Sequence, residues 1–171
     1  MAIEENPFDH ILYEFSTYLQ AFLVRCESQL ITNFQVDSRL VHLRNLAYFF
    51  DKKKNCDIHA SVYVEHPESC LVESKHFSDI YHITNCAACH MSLERLKPDF
   101  KKKTLDCENQ AFRELVPLIR QYLYLLDTDL KAEYTTLWDD ETIQRHSSEL
   151  INLIHIYEST ETEEIVVGTT S

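Results

Sequence analysis

Residues 6–23 read Asn-Pro-Phe-Asp-His-Ile-Leu-Tyr-Glu-Phe-Ser-Thr-Tyr-Leu-Gln-Ala-Phe-Leu, and the spacing within them decides the fold class. Asn6 offers a side-chain oxygen to the first orphan amides of a helix, and Pro7 fits the first turn, where its missing N–H costs nothing. Asp9 follows three residues after the cap. From there Phe8, Ile11, Leu12, Phe15, Leu19, Phe22, Leu23, Cys26 and Leu30 recur at three- and four-residue steps, the period of one helix face. Such a helix is marginal in water by itself and is stabilised by burying that stripe against others.

The same period returns outward along the chain. Residues 36–50 carry Leu40, Leu43, Leu46, Ala47 and Phe50 behind a cap at Asp37 or Ser38. Residues 73–96 carry Phe77, Ile80, Thr84, Ala87, Ala88 and Met91, with Pro98 as the stop. Residues 106–126 carry Phe112, Leu115, Val116, Ile119, Leu123 and Leu126 with Pro117 inside, which predicts a kink. Residues 139–158 open on acidic side chains, favourable at a helix N-terminus, and carry Ile143, Leu150, Ile151, Ile154 and Tyr157. Residues 52–72 lack this period, and the alternation Ala60-Ser61-Val62-Tyr63-Val64 before His66-Pro67 reads as an extended connector. The expectation is an all-α, single-domain helical bundle of four to five helices over residues 1–158. An acidic, threonine-rich tail without a core pattern follows at 159–171, and it is expected to be disordered.

Composition supports that reading and narrows the chemistry. The single glycine, Gly168, leaves no residue suited to the φ > 0 positions of hairpin turns. It also removes phosphate loops, dinucleotide-binding turns and nucleophile elbows, each of which needs glycine where backbone approaches a ligand. No run of about 18 apolar residues is present, so no membrane span is expected. The first ten residues are acidic where an export signal is basic. A cytoplasmic protein with reduced thiols is therefore expected from the six cysteines. The net charge of −12 is uneven: residues 106–171 hold fourteen carboxylates against four basic side chains. The middle of the chain holds two triple-lysine runs, Lys52-Lys53-Lys54 and Lys101-Lys102-Lys103, and is the one region suited to polyanions.

Three constellations could carry chemistry. Cys86-Ala87-Ala88-Cys89-His90 has the spacing of c-type haem attachment, but that chemistry belongs to exported chains. Cys56, His59, Cys86 and Cys89 offer a zinc donor set, although Cys86 and Cys89 fall at helical i, i+3 spacing, where buried thiols explain them more simply. No cofactor is expected. The third constellation places His42, Arg44 and Asn45 on one helix and His82, Asn85 and His90 on the next. Side by side, these helices would bring Arg44, Asn45, His82 and Asn85 into a polar pocket. Arginine would hold a phosphate there and His90 could move a proton.

The strings His42-Leu43-Arg44-Asn45-Leu46-Ala47-Tyr48-Phe49-Phe50 and Asp57-Ile58-His59-Ala60-Ser61, with Asn85 five residues before His90 and Glu94-Arg95 beyond, resemble small bacterial helical proteins. Over residues 35–96 the chain is similar to HEPN domains. That resemblance implies a bundle that pairs as a homodimer around a polar cleft and binds RNA or a nucleotide. Arg44-Asn45 matches the first half of the family's ribonuclease motif, but Tyr48, Phe49 and Phe50 stand where its histidine follows, and Asn85 stands in the arginine's place before His90. Binding rather than cleavage is the expectation. For a metal-independent endoribonuclease, His90 would be the acid/base and Arg44 the phosphate clamp. A non-enzymatic protein–protein interaction module and a zinc or haem protein built on Cys86, Cys89 and His90 are the alternatives.

Overall fold

The stripe that opens the sequence becomes α1 (Pro7–Leu23), which buries Ile11, Phe15, Tyr18 and Leu19. The computed structural model describes residues 7–23, 29–54, 59–86, 99–135 and 140–168, and over them the protein is all-α. α2 (Gln29–Phe50) starts well before residue 36 and buries Leu40, Leu43, Leu46, Ala47, Phe49 and Phe50. α4 (Lys75–Thr84) begins at Ser74, whose Oγ accepts the amides of His76 and Phe77. α5 (Phe100–Thr128) and α7 (Asp140–Gly168) are the longest elements. These five helices form the bundle, and two single turns, α3 (Ala60–Tyr63) and α6 (Ala132–Thr135), lie in its connections.

α2 and α4 run antiparallel. Near the α2 midpoint the Thr84 hydroxyl donates to the Leu40 carbonyl at 3.2 Å. At the α2 C-terminus Lys52 N donates to Val72 O at 2.9 Å, and Val72 N donates to Phe50 O at 3.0 Å. α1 packs on α2 and α7, and α5 crosses behind α2 and α4.

Aromatic rings fill the core in two groups. Phe112 on α5 stacks on Tyr18 at 4.6 Å and meets Tyr157 of α7 at 4.2 Å, which locks α1, α5 and α7 together. Tyr122 lies edge-on to Phe49 at 5.2 Å and to Phe50 at 5.7 Å, which fixes α5 on the end of α2. Each fully buried ring of this size contributes about 1.5–3 kcal/mol by leaving water, and each well-placed pair adds about 0.5–1.5 kcal/mol.

The connector departs from its sequence reading. Ala60–Tyr63 is one turn of helix rather than an extended run, because the His59 side chain accepts the Ser61 amide and caps it. Ala60 and Tyr63, three apart, are then both buried. Val64 forms an isolated antiparallel bridge with Leu130, tying the connector to the end of α5. α5 continues through Pro117, whose ring is exposed where one backbone hydrogen bond is missing. Residues 159–168, read above as part of a disordered tail, continue α7 to Gly168, with no proline or other glycine to stop it. Among the described residues, no helix is long and apolar enough to cross a membrane.

Candidate functional site

Helix geometry sorts the polar residues of α2 onto two sides, because successive side chains turn by about 100°. His42 and Asn45, three apart, face α1. His42 Nδ1 lies 2.6 Å from Glu14 Oε2, and Asn45 Nδ2 donates to Glu14 Oε1 at 3.0 Å. Both oxygens of a buried carboxylate are thereby satisfied, as its removal from water demands. The ring of Tyr13 stands edge-on to His42 at 5.6 Å.

Arg44 and Tyr48, four apart, and Asp51 beyond them face α4 instead. The rings of Tyr48 and Tyr81 stack at 4.3 Å across the seam between the helices. The guanidinium of Arg44 sits 5.1 Å over Tyr48, and Lys54 Nζ lies 4.7 Å from the Tyr48 centroid and 4.8 Å from that of Tyr81. Two cations on one aromatic pair, all four side chains half-buried, form a compact positive patch with π faces in it.

Asp51 anchors this patch. Its Oδ2 accepts the Tyr81 hydroxyl at 2.8 Å, its Oδ1 accepts the Lys53 amide at 3.0 Å, and its carbonyl faces His59 Nε2 at 3.2 Å. Burial, reinforced by the Asp51 carboxylate, pushes the Tyr81 phenol far above its ordinary range, so it stays a proton donor. His59 is held on both nitrogens, since Nδ1 accepts the Ser61 amide and faces the Ser61 hydroxyl at 2.7 Å. Burial pulls its pKa below the usual histidine value.

The residues proposed from sequence therefore separate. Arg44 lies on the α2–α4 seam, whereas Asn45 belongs to the α1–α2 contact. His82 lines a groove of about 360 Å³ between α4 and the start of α5, beside Asp79, Lys102 and Lys103. Asn85 is exposed at the C-cap of α4. His90, Cys56 and Cys89 lie outside the described residues. Of the other zinc candidates, His59 has both ring nitrogens engaged, and Cys86 Sγ lies 3.8 Å from His82 Nε2. Among the described residues, no group of three or more acidic, histidine or cysteine side chains could hold a metal ion.

Two features of the structure had no counterpart in the motif reading. The Tyr48–Tyr81 stack joins two residues that belong to neither predicted apolar stripe. In the bundle interior Arg39 Nε lies 2.8 Å from Glu108 Oε1, and Nη2 donates to Oε2 at 3.1 Å. Burial raises the pKa of Glu108 while Arg39 pulls it back, and the Tyr18 hydroxyl is hydrogen-bonded to the same carboxylate. Only chain crossing brings 18, 39 and 108 together, so no local pattern announces them.

Comparison of the chain with known protein families, with curated proteins and with solved structures finds no match.

Proposed function

We propose that the protein is a HEPN-like bacterial bundle, active in the cytoplasm, that binds RNA or a nucleotide through the α2–α4 seam. The observation that carries this reading is the convergence of Arg44 and Lys54 on the Tyr48–Tyr81 pair. Cations of this kind hold phosphates, and tyrosine faces accept unpaired bases by stacking. Lys52, exposed beside Lys54, extends the positive patch along the chain. The seam thus takes the place of the polar pocket expected between these helices, with Arg44 retained as the phosphate clamp and Asn45 assigned to structure.

The thiol environment fits a reducing compartment: Cys70 and Cys107 are free and buried, and burial pushes both thiols up to about 12. The reading is a binding function, with catalysis by His90 as its stronger form.

The test is fluorescence anisotropy with a labelled single-stranded RNA across a salt series. Each phosphate contact contributes a slope of about −0.7 in log affinity against log salt for single strands. Arg44→Glu combined with Lys54→Glu should remove about two such contacts and weaken binding more than tenfold. Lys102→Glu with Lys103→Glu, on the α4–α5 groove, should leave the seam unaffected. Equal binding by wild type and the seam variant would overturn the proposal. Loss of RNA cleavage in His90→Ala, with binding intact, would establish the catalytic form.

A further inference from the structure

The contact between α1 and α2 does more than pack two helices. His42 Nδ1 lies 2.6 Å from Glu14 Oε2, and a carboxylate oxygen only accepts, so the ring proton sits on Nδ1. Asn45 donates to the other carboxylate oxygen at 3.0 Å and holds Glu14 from its far side. Glu14 is buried, so little water competes for either bond. The neutral imidazole therefore carries its lone pair on Nε2, on the edge of the ring turned away from Glu14.

That edge is open. The His42 side chain is 13% exposed, and among the described residues Nε2 has no hydrogen-bond partner and is not one of the enclosed polar atoms. Tyr13, 60% exposed, stands edge-on at 5.6 Å and limits how the ring can turn. A histidine oriented by a carboxylate often activates a hydroxyl or thiol. Among the described residues no such group is bonded to Nε2, so here the imidazole itself is the nucleophile. The other carboxylate-bonded histidine differs in setting: His66 pairs with Asp129 while 79% exposed, so that pair is immersed in water.

We propose that His42 Nε2 is a phosphoryl-acceptor site, positioned by Glu14 and Asn45, whose substrate is a small activated phosphoryl donor. Phosphoryl transfer asks of its acceptor a free lone pair and a fixed direction of attack, and this arrangement supplies both. With phosphoramidate as donor, the Nε2 lone pair forms an N–P bond while the donor's P–N bond breaks and ammonia leaves with its electron pair. The positive charge that develops on the ring is met by Glu14, which takes up the Nδ1 proton. His42 lies about 200° round α2 from Arg44, so this site and the RNA-binding seam stand or fall separately.

The experiment treats the full chain with phosphoramidate. Labelling is followed by intact mass, by peptide mapping in alkali, where phosphohistidine survives, and by phosphorus NMR, which tells Nε2 from Nδ1. Of the nine histidines, His42 should take the group first, at least about tenfold faster than His66 despite its lower exposure. Glu14→Gln keeps the shape and removes the charge. It should slow labelling at His42 more than about tenfold and leave the His66 rate unchanged. A merely structural Glu14 predicts the reverse, since loosening the contact would expose His42 and speed its labelling. The comparison of His42 with His66 in wild type needs no variant, so it decides the matter even where Glu14→Gln does not fold. Labelling of His42 no faster than of His66, attachment at Nδ1, or an unchanged His42 rate in Glu14→Gln would overturn the proposal.

Discussion

Replacing Glu108 with leucine tests the buried charge pair that links α2 to α5. The Glu108 side chain is 1% exposed and that of Arg39 12%, so neither relies on water once the bundle closes. Replacing Glu108 takes away the carboxylate that engages Arg39 at Nε and Nη2, and breaking a buried pair of this kind costs about 3–5 kcal/mol. Set against a total stability of about 5–15 kcal/mol, that is a large fraction. With a urea m value of about 2 kcal/mol/M, the unfolding midpoint followed by circular dichroism should fall by about 1.5–2.5 M. The double variant Arg39→Met with Glu108→Leu removes both charges and should recover most of the loss. Glu108→Gln, which keeps shape and hydrogen-bonding capacity, covers the case in which the leucine variant does not fold. A loss below about 1 kcal/mol in Glu108→Leu, or a double variant as unstable as the two single losses summed, would refute the claim that the pair is buried and mutually dependent.

The buried histidine of the connector makes stability pH-dependent in a definite direction. Burial lowers the folded pKa of His59 below the ordinary histidine value of 6.5, so the unfolded chain takes up the proton first. Its contribution is fully present above 6.5 and is lost as pH falls through the folded value. His66, raised by its hydrogen bond to Asp129, and Glu108, raised by burial, work in the opposite sense. The melting temperature should therefore drop less steeply with acid in His59→Gln than in wild type; parallel curves would discount the role of His59. Ser74→Ala should cost about 1 kcal/mol in a denaturant titration, because two first-turn amides of α4 lose their acceptor. A neutral result would mean that the contact of Ser74 with Glu114 is dispensable as well.

The elements that local periodicity could reveal were largely legible. Leu40, Leu43, Leu46, Ala47 and Phe50 announced the inner face of α2, and Phe112, Leu115, Ile119 and Leu126 that of α5; all are buried. Boundaries were harder to read. α2 and α5 start earlier than the apolar stripe requires, since polar residues such as Gln35 and Asp37 sit on a half-buried face without breaking a helix. The single turn at Ala60–Tyr63 mimicked a strand because four residues are too few to distinguish the two periods, and the His59 cap decided between them.

The candidate site divides in the same way. Sequence alone determined the fold class, the scarcity of glycine-dependent chemistry and the placement of Arg44 and Asn45 on one helix, because those follow from composition and a 3.6-residue repeat. It could not show that adjacent residues on that helix serve different partners, with Asn45 turned to Glu14 and Arg44 to the tyrosine seam. Nor could it show that Tyr81 would reach Tyr48 and Asp51, or that Arg39 and Glu108 would meet across 69 positions. Those pairings depend on which helices become neighbours and at what rotation, and that is set by the packing of the whole aromatic core rather than by any local segment.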